Sequence, residues 1–158
     1  MAQNDPGAAA KLTSPLSGDA QADAASYVIS QWASDDPQAA GSWAASLPEG
    51  KTREQVAANL MNRWAKTDPA AAASWLGNLS EGPSRDAAAR AFTNRITSSD
   101  PQAAVQWAET ISDETIRENQ TESAARVWLK IDPGSAINWI GNSDLPDETK
   151  ARLLPPRT

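Results

Sequence analysis

A chain of 158 residues is long enough for a domain with a real core, and this one has a formal net charge of −6 with no Cys and no His. Those absences exclude disulfides, thiolate nucleophiles, imidazole bases and most zinc sites. The acidic balance argues against a phosphate-backbone partner, and no apolar run approaches the roughly 20 residues of a membrane span, so neither nucleic acid nor membrane is an expected partner.

Hydrophobic residues make up 40% of the chain, most of them Ala, and Trp occurs seven times against one Phe and one Tyr. Ala-rich, Gly-poor segments with few β-branched runs favour helix. At the N-terminus, Met1 to Leu12 contains no apolar core of an export signal. Lack of Cys suits either side of a membrane, so the compartment is open, an exported mature form included.

The first predicted unit opens at Asp5-Pro6, with Leu12 and Leu16 on its helical face, and is one residue short before Trp32. From there the register is regular. Asp-Pro recurs at Asp36, Asp68, Asp100 and Asp132 in steps of 32 residues, and Trp43, Trp75, Trp107 and Trp139 keep the same step. A second series runs Trp32, Trp64, Ile96 and Trp128. Asp is a good N-cap and Pro is preorganised for the first turn, so each Asp-Pro predicts the start of a short helix A. Ala40, Trp43 and Leu47 form its apolar face, repeated as Ala72, Trp75, Leu79 and as Ala104, Trp107, Ile111. Pro48-Glu49-Gly50 and Ser80-Glu81-Gly82-Pro83 then turn the chain. A longer helix B follows, with Ala57, Leu60 and Trp64 on one stripe, then Ala89, Phe92 and Ile96, then Thr121, Ala124 and Trp128. Neither helix is long enough to stand alone in water, so the units must stack.

The expected fold is all-α: a right-handed α-solenoid of stacked helix-turn-helix repeats with a 32-residue period. One repeat domain, 1–158, is expected to comprise a degenerate unit (5–35), three full units (36–67, 68–99 and 100–131) and a truncated unit (132–158). Atypical first and last units are what a stacked array needs as caps. The Trp series reads as packing knobs facing Ala, except that Trp139 and Ile140 have no complete following hairpin to cover them and are candidate adhesive contacts. Arg53, Arg85 and Arg117 share one repeat position. They read either as a ladder for an acidic partner or as surface ion pairs with Asp36, Asp68 and Asp100, or with Glu49, Glu81 and Asp113. Carboxylates such as Glu114 and Glu118 read as solvated charge, and no catalytic residue, cofactor or metal site is expected.

The run Asp36-Pro37-Gln38-Ala39-Ala40-Gly41-Ser42-Trp43 resembles the junction between tetratricopeptide repeats, where Asp-Pro precedes a Trp by the same interval. The match recurs at Asp68 to Trp75, Asp100 to Trp107 and Asp132 to Trp139. The step of 32 residues is shorter than that family's usual length of about 34, the Leu-Gly pair late in helix A is missing, and Trp64 stands where the family prefers Ala. The chain is also similar to Ala- and Trp-rich repeat arrays of bacterial proteins. The resemblance implies a superhelical array whose concave face binds a peptide or protein, and it implies no catalysis. Two functions are therefore expected of this chain. One is a non-catalytic scaffold for a protein or peptide partner; the other is self-assembly, with copies of itself joined head to tail through the solenoid ends.

Overall fold

The computed structural model describes residues 6–13, 16 and 18–154; Asp5, which opens the first predicted unit, lies outside them. Among the described residues ten helices and no strand form. They are α1 (Pro6–Thr13), α2 (Gly18–Asp35), α3 (Pro37–Ser46), α4 (Lys51–Thr67), α5 (Pro69–Gly77), α6 (Pro83–Ile96), α7 (Pro101–Glu109), α8 (Glu114–Ile131), α9 (Pro133–Asn142) and α10 (Asp147–Leu153). Tertiary contacts divide the chain into two compact units, Met1–Phe92 and Thr93–Thr158.

A single Asp makes each joint between a long helix and the short one after it. The Asp36 amide donates to Trp32 O at 2.8 Å and so ends α2, while its Oδ1 accepts from Ala39 N at 2.9 Å and so opens α3. Asp68 repeats both bonds, to Trp64 O at 2.8 Å and from Ala71 N at 2.9 Å. Asp100 does so with Ile96 O at 2.7 Å and Ala103 N at 2.9 Å, and Asp132 with Trp128 O at 2.8 Å and Ser135 N at 3.1 Å. In each case the following Pro occupies the first helical turn, where its missing N–H leaves nothing unsatisfied. One residue thus satisfies orphan groups of two helices and sharply redirects the chain.

The reverse joint, from short helix to long, needs glycine. Gly50 and Gly82 hold φ of 147° and 151° immediately before α4 and α6, a region that side-chain-bearing residues avoid. Before α8 this role passes to Asp113, whose Oδ1 accepts from Ile116 N at 2.8 Å with an ordinary φ of −67°.

In the first unit α2 packs along α4 and against α1 and α3, and α4 also packs on α3 and α5. The core between them is Ala25, Ile29, Ala40, Val56, Leu60, Met61, Ala72 and Leu76, all fully buried. In the second unit α7 lies along α8, α9 packs on α8, and the short α10 closes over both α8 and α9. Its core is Ala104, Val105, Ala108, Ala124, Ala125 and Ile140. Small Ala side chains let the helices approach closely, and the long helices supply the bulk.

The seven Trp, expected to serve as core knobs apart from the thinly covered Trp139, fall into two classes. Trp64 and Trp128, near the ends of long helices, are buried, whereas Trp32, Trp43, Trp75, Trp107 and Trp139 are half-buried. Three pairs stack across the Asp joints in tilted contact: Trp32 with Trp43 at 6.0 Å, Trp64 with Trp75 at 6.2 Å and Trp128 with Trp139 at 5.9 Å between ring centroids. Helix length alone does not decide the class, since Trp32 on the long α2 is half-buried like the four rings of the short helices, whereas Trp64 on α4 and Trp128 on α8 are buried.

Candidate interaction surface

Charge is distributed unequally among the helices: the seven-residue α10 carries Asp147, Glu148, Lys150 and Arg152 and α1 carries Lys11, but four other short helices are nearly free of it. The short helices α3, α5 and α9 contain no charged residue, and α7 contains only Glu109 at its last position. The long helices α4 and α8 hold five and six charged residues respectively. On each short helix the exposed positions form a row one turn apart: Gln38, Ser42 and Ser46 on α3, Ser74 and then Asn78 on α5, Gln102, Gln106 and then Thr110 on α7, and Asn138 and Asn142 on α9. The named members are uncharged amides or hydroxyls, and the exposed Ala70 and Gly134 take the first place of the row on α5 and α9. Several fold back onto their own helix. Ser42 Oγ donates to Gln38 O at 3.1 Å, Asn78 Nδ2 to Ser74 O at 2.8 Å and Asn142 Nδ2 to Asn138 O at 2.7 Å. Amides and hydroxyls cost far less to desolvate than charges, so such a row suits contact with another polar, uncharged surface.

The arginines of the predicted ladder do something more local. Arg53 donates from Nη1 to Leu47 O at 3.3 Å and pairs with Glu49 at 3.2 Å. Arg117 donates from Nη1 to Ile111 O at 2.8 Å and Ser112 O at 3.2 Å. Each therefore holds carbonyls of the turn that follows a short helix. Arg85 is half-buried in the first turn of α6, in the corresponding position. With their guanidinia used in this way, Arg53 and Arg117 are braces between turn and helix. Carbonyl oxygens as partners were not among the sequence expectations, which considered only carboxylates.

Glu49 adds a tie between consecutive turns, since its Oε2 accepts from the buried Ser84 Oγ at 2.7 Å. Lys51 and Asp19 make a further pair at 2.9 Å on the surface. In the second unit Glu122 accepts from Arg152 Nη2 at 2.7 Å and from Arg126 Nη2 at 2.6 Å, which fastens α10 to α8. The hydrogen bond from Arg152, then that from Arg126, holds the Glu122 carboxyl down at about 2. Glu114 and Glu118 line a groove of about 380 Å³ together with Glu109, Asp144 and Arg117. No group of three or more potential ligand side chains is placed to hold a metal ion among the described residues.

The two C-terminal candidates separate. Trp139 is half-buried against Trp128, but Ile140 is fully buried beneath α8 and α10. Ile140 is thus no surface contact, being enclosed where α9 packs against α8 and the seven-residue α10. The exposed apolar side chains near it are Ile131, 57% exposed, and Ile137, 48% exposed. In the first unit Leu12 is 72% exposed, although it stands at the helix position that Trp holds in α3 and α5. The sequence alone places Leu12 on the helical face of the first unit, but it does not single out the row as a whole or the exposed Ile131 and Ile137. The signal for the row was present, but it appears only once the helix boundaries show that the charges stop at each Asp-Pro. Among the described residues no helix is long and apolar enough to cross a membrane. Comparison with protein-family models, with curated proteins and with solved structures found no match, so function is read from the chain's own surfaces.

Proposed function

We propose that this chain is a non-catalytic interaction scaffold: a right-handed α-solenoid of tetratricopeptide-like hairpins with a 32-residue period, whose short-helix face receives a protein or peptide partner. The observation that carries the proposal is the segregation of charge, with exposed amides and hydroxyls on α3, α5, α7 and α9 and ionised groups on the long helices. A surface of that kind recognises an extended segment poor in charge through hydrogen bonds to its backbone, with the Trp margins as apolar edges. A displayed peptide library selected against the folded protein tests this. Enriched peptides should be poor in charge, should bind with little dependence on salt, and should be lost with the variant Ser42→Glu/Ser74→Glu. Failure to enrich any peptide, or binding indifferent to that variant, refutes the proposal.

A second reading, self-assembly through the terminal helices, is favoured by a different observation. Leu12 on α1 and Ile131 and Ile137 at the start of the last hairpin are large apolar side chains left exposed.

A further inference from the structure

The contact between α3 and α5 shows how one short helix receives the next. Trp75, the seventh residue of α5, lies over Gly41, the fifth residue of α3, so closely that a Cβ on Gly41 would come within 2.7 Å of Trp75 Nε1. In this contact the donating position is the seventh of its helix and the receiving position the fifth, and the repeat register assigns the same two positions to the other short helices. In α1 the donating position is Leu12, which is 72% exposed; in α9 the receiving position is Ile137, which is 48% exposed. Both halves of the contact are present in the chain without a covering partner among the described residues.

Resting on the self-assembly reading, we propose that Leu12 of one copy packs over Ile137 of a second copy, continuing between molecules the contact that Trp75 makes over Gly41 within one. Three features support a second copy as the occupant. The receiving position grows along the chain, Gly41, Ala73, Val105 and Ile137, while the donating residue in α1 is Leu instead of Trp. A large ring over bare backbone is thereby exchanged for two aliphatic side chains of intermediate size, a change that conserves the character of the packed volume. The residue just before each Asp-Pro is polar at Asp35, Thr67 and Ser99 but apolar at Ile131, which is 57% exposed next to α9. The join is heterologous, so repeated addition gives a linear polymer unless it closes into a ring. Because every copy carries a net charge of −6, the association strengthens as salt screens the repulsion.

The absence of native Cys makes the test direct. Variants Leu12→Cys and Ile137→Cys are each prepared alone, mixed at about 0.5 M salt, where the screening length falls to a few ångströms, and treated with a mild oxidant. The mixed disulfide should exceed either like-with-like product, wild-type protein should gain mass with concentration in light scattering, and Ile137→Asp should abolish that gain with its helical circular dichroism unchanged. A wild-type mass that stays monomeric overturns the self-assembly reading and this contact together. Growth in mass with like-with-like disulfides overturns the contact alone and leaves assembly by another surface. A monomer in which the Ile137→Cys thiol resists alkylation places a segment of the same chain over that position, and equally overturns the contact.

Discussion

The approach of Trp75 to Gly41 makes a prediction with an opposite sign in two backgrounds. Gly41→Ala replaces a glycine within α3, which by helix propensity alone stabilises by about 1 kcal/mol. The new methyl would stand 2.7 Å from Trp75 Nε1, 3.0 Å from Cδ1 and 3.2 Å from Cε2. The ring cannot simply swing clear, because it is held against Trp64 at 6.2 Å. Overpacking of this kind costs about 1–3 kcal/mol, so Gly41→Ala should lower stability by about 1 kcal/mol net. In a Trp75→Ala background the ring is gone and only the propensity gain remains, so the same substitution should raise stability by about 1 kcal/mol. Urea melts of the four proteins, followed by circular dichroism, give a coupling of about 2 kcal/mol between the two positions. If Gly41→Ala stabilises in both backgrounds, the close approach does not constrain the fold and the donor–receiver scheme built on it fails.

Glu122 makes stability depend on acidity. Its carboxyl is lowered to about 2, chiefly by the hydrogen bond from Arg152. A depressed carboxylate contributes stability that is fully present above its unfolded value, about 4.3, and lost as pH falls from there to about 2. The full shift is formally about 3 kcal/mol; both guanidinia are about half in solvent, so about 1 kcal/mol is expected. Glu122→Gln should therefore be about 1 kcal/mol less stable than wild type at pH 7 and nearly equal to it at pH 2; a gap that does not narrow on acidification rules this out. Asp68→Ala removes the cap on Ala71 N and should cost about 1 kcal/mol, whereas Asp68→Asn should stay within a few tenths; equal losses would show that the cap bond is not the cause. Trp64→Ala should cost about 3–5 kcal/mol, and the half-buried Trp43 about half as much. Matching denaturation midpoints for the two would contradict the division of the Trp into buried and marginal classes.

What could be read in the chain was local. An Asp side chain caps the amide three residues on, Pro fits the first turn, and Gly50 and Gly82 allow a φ closed to other residues, so Asp-Pro and Glu-Gly mark helix boundaries without knowledge of anything distant. The buried stripes Ala57–Leu60–Trp64 and Thr121–Ala124–Trp128 follow equally from helical spacing. Partners and exposure were not local. Arg53 and Arg117 reach backbone carbonyls five or six residues away, across a turn whose path decides whether a carbonyl or a carboxylate is nearer. Ile140 is fully buried on α9, which packs against α8 and α10, whereas Ile137, three residues earlier on the same helix, is 48% exposed. Trp recurring at a fixed interval announces packing, but how much of each ring is covered differs even between equivalent positions, Trp32 being half-buried where Trp64 and Trp128 are buried. Caps and periodicity act over one turn of helix, and solvent exposure is a property of the neighbours that the rest of the chain supplies.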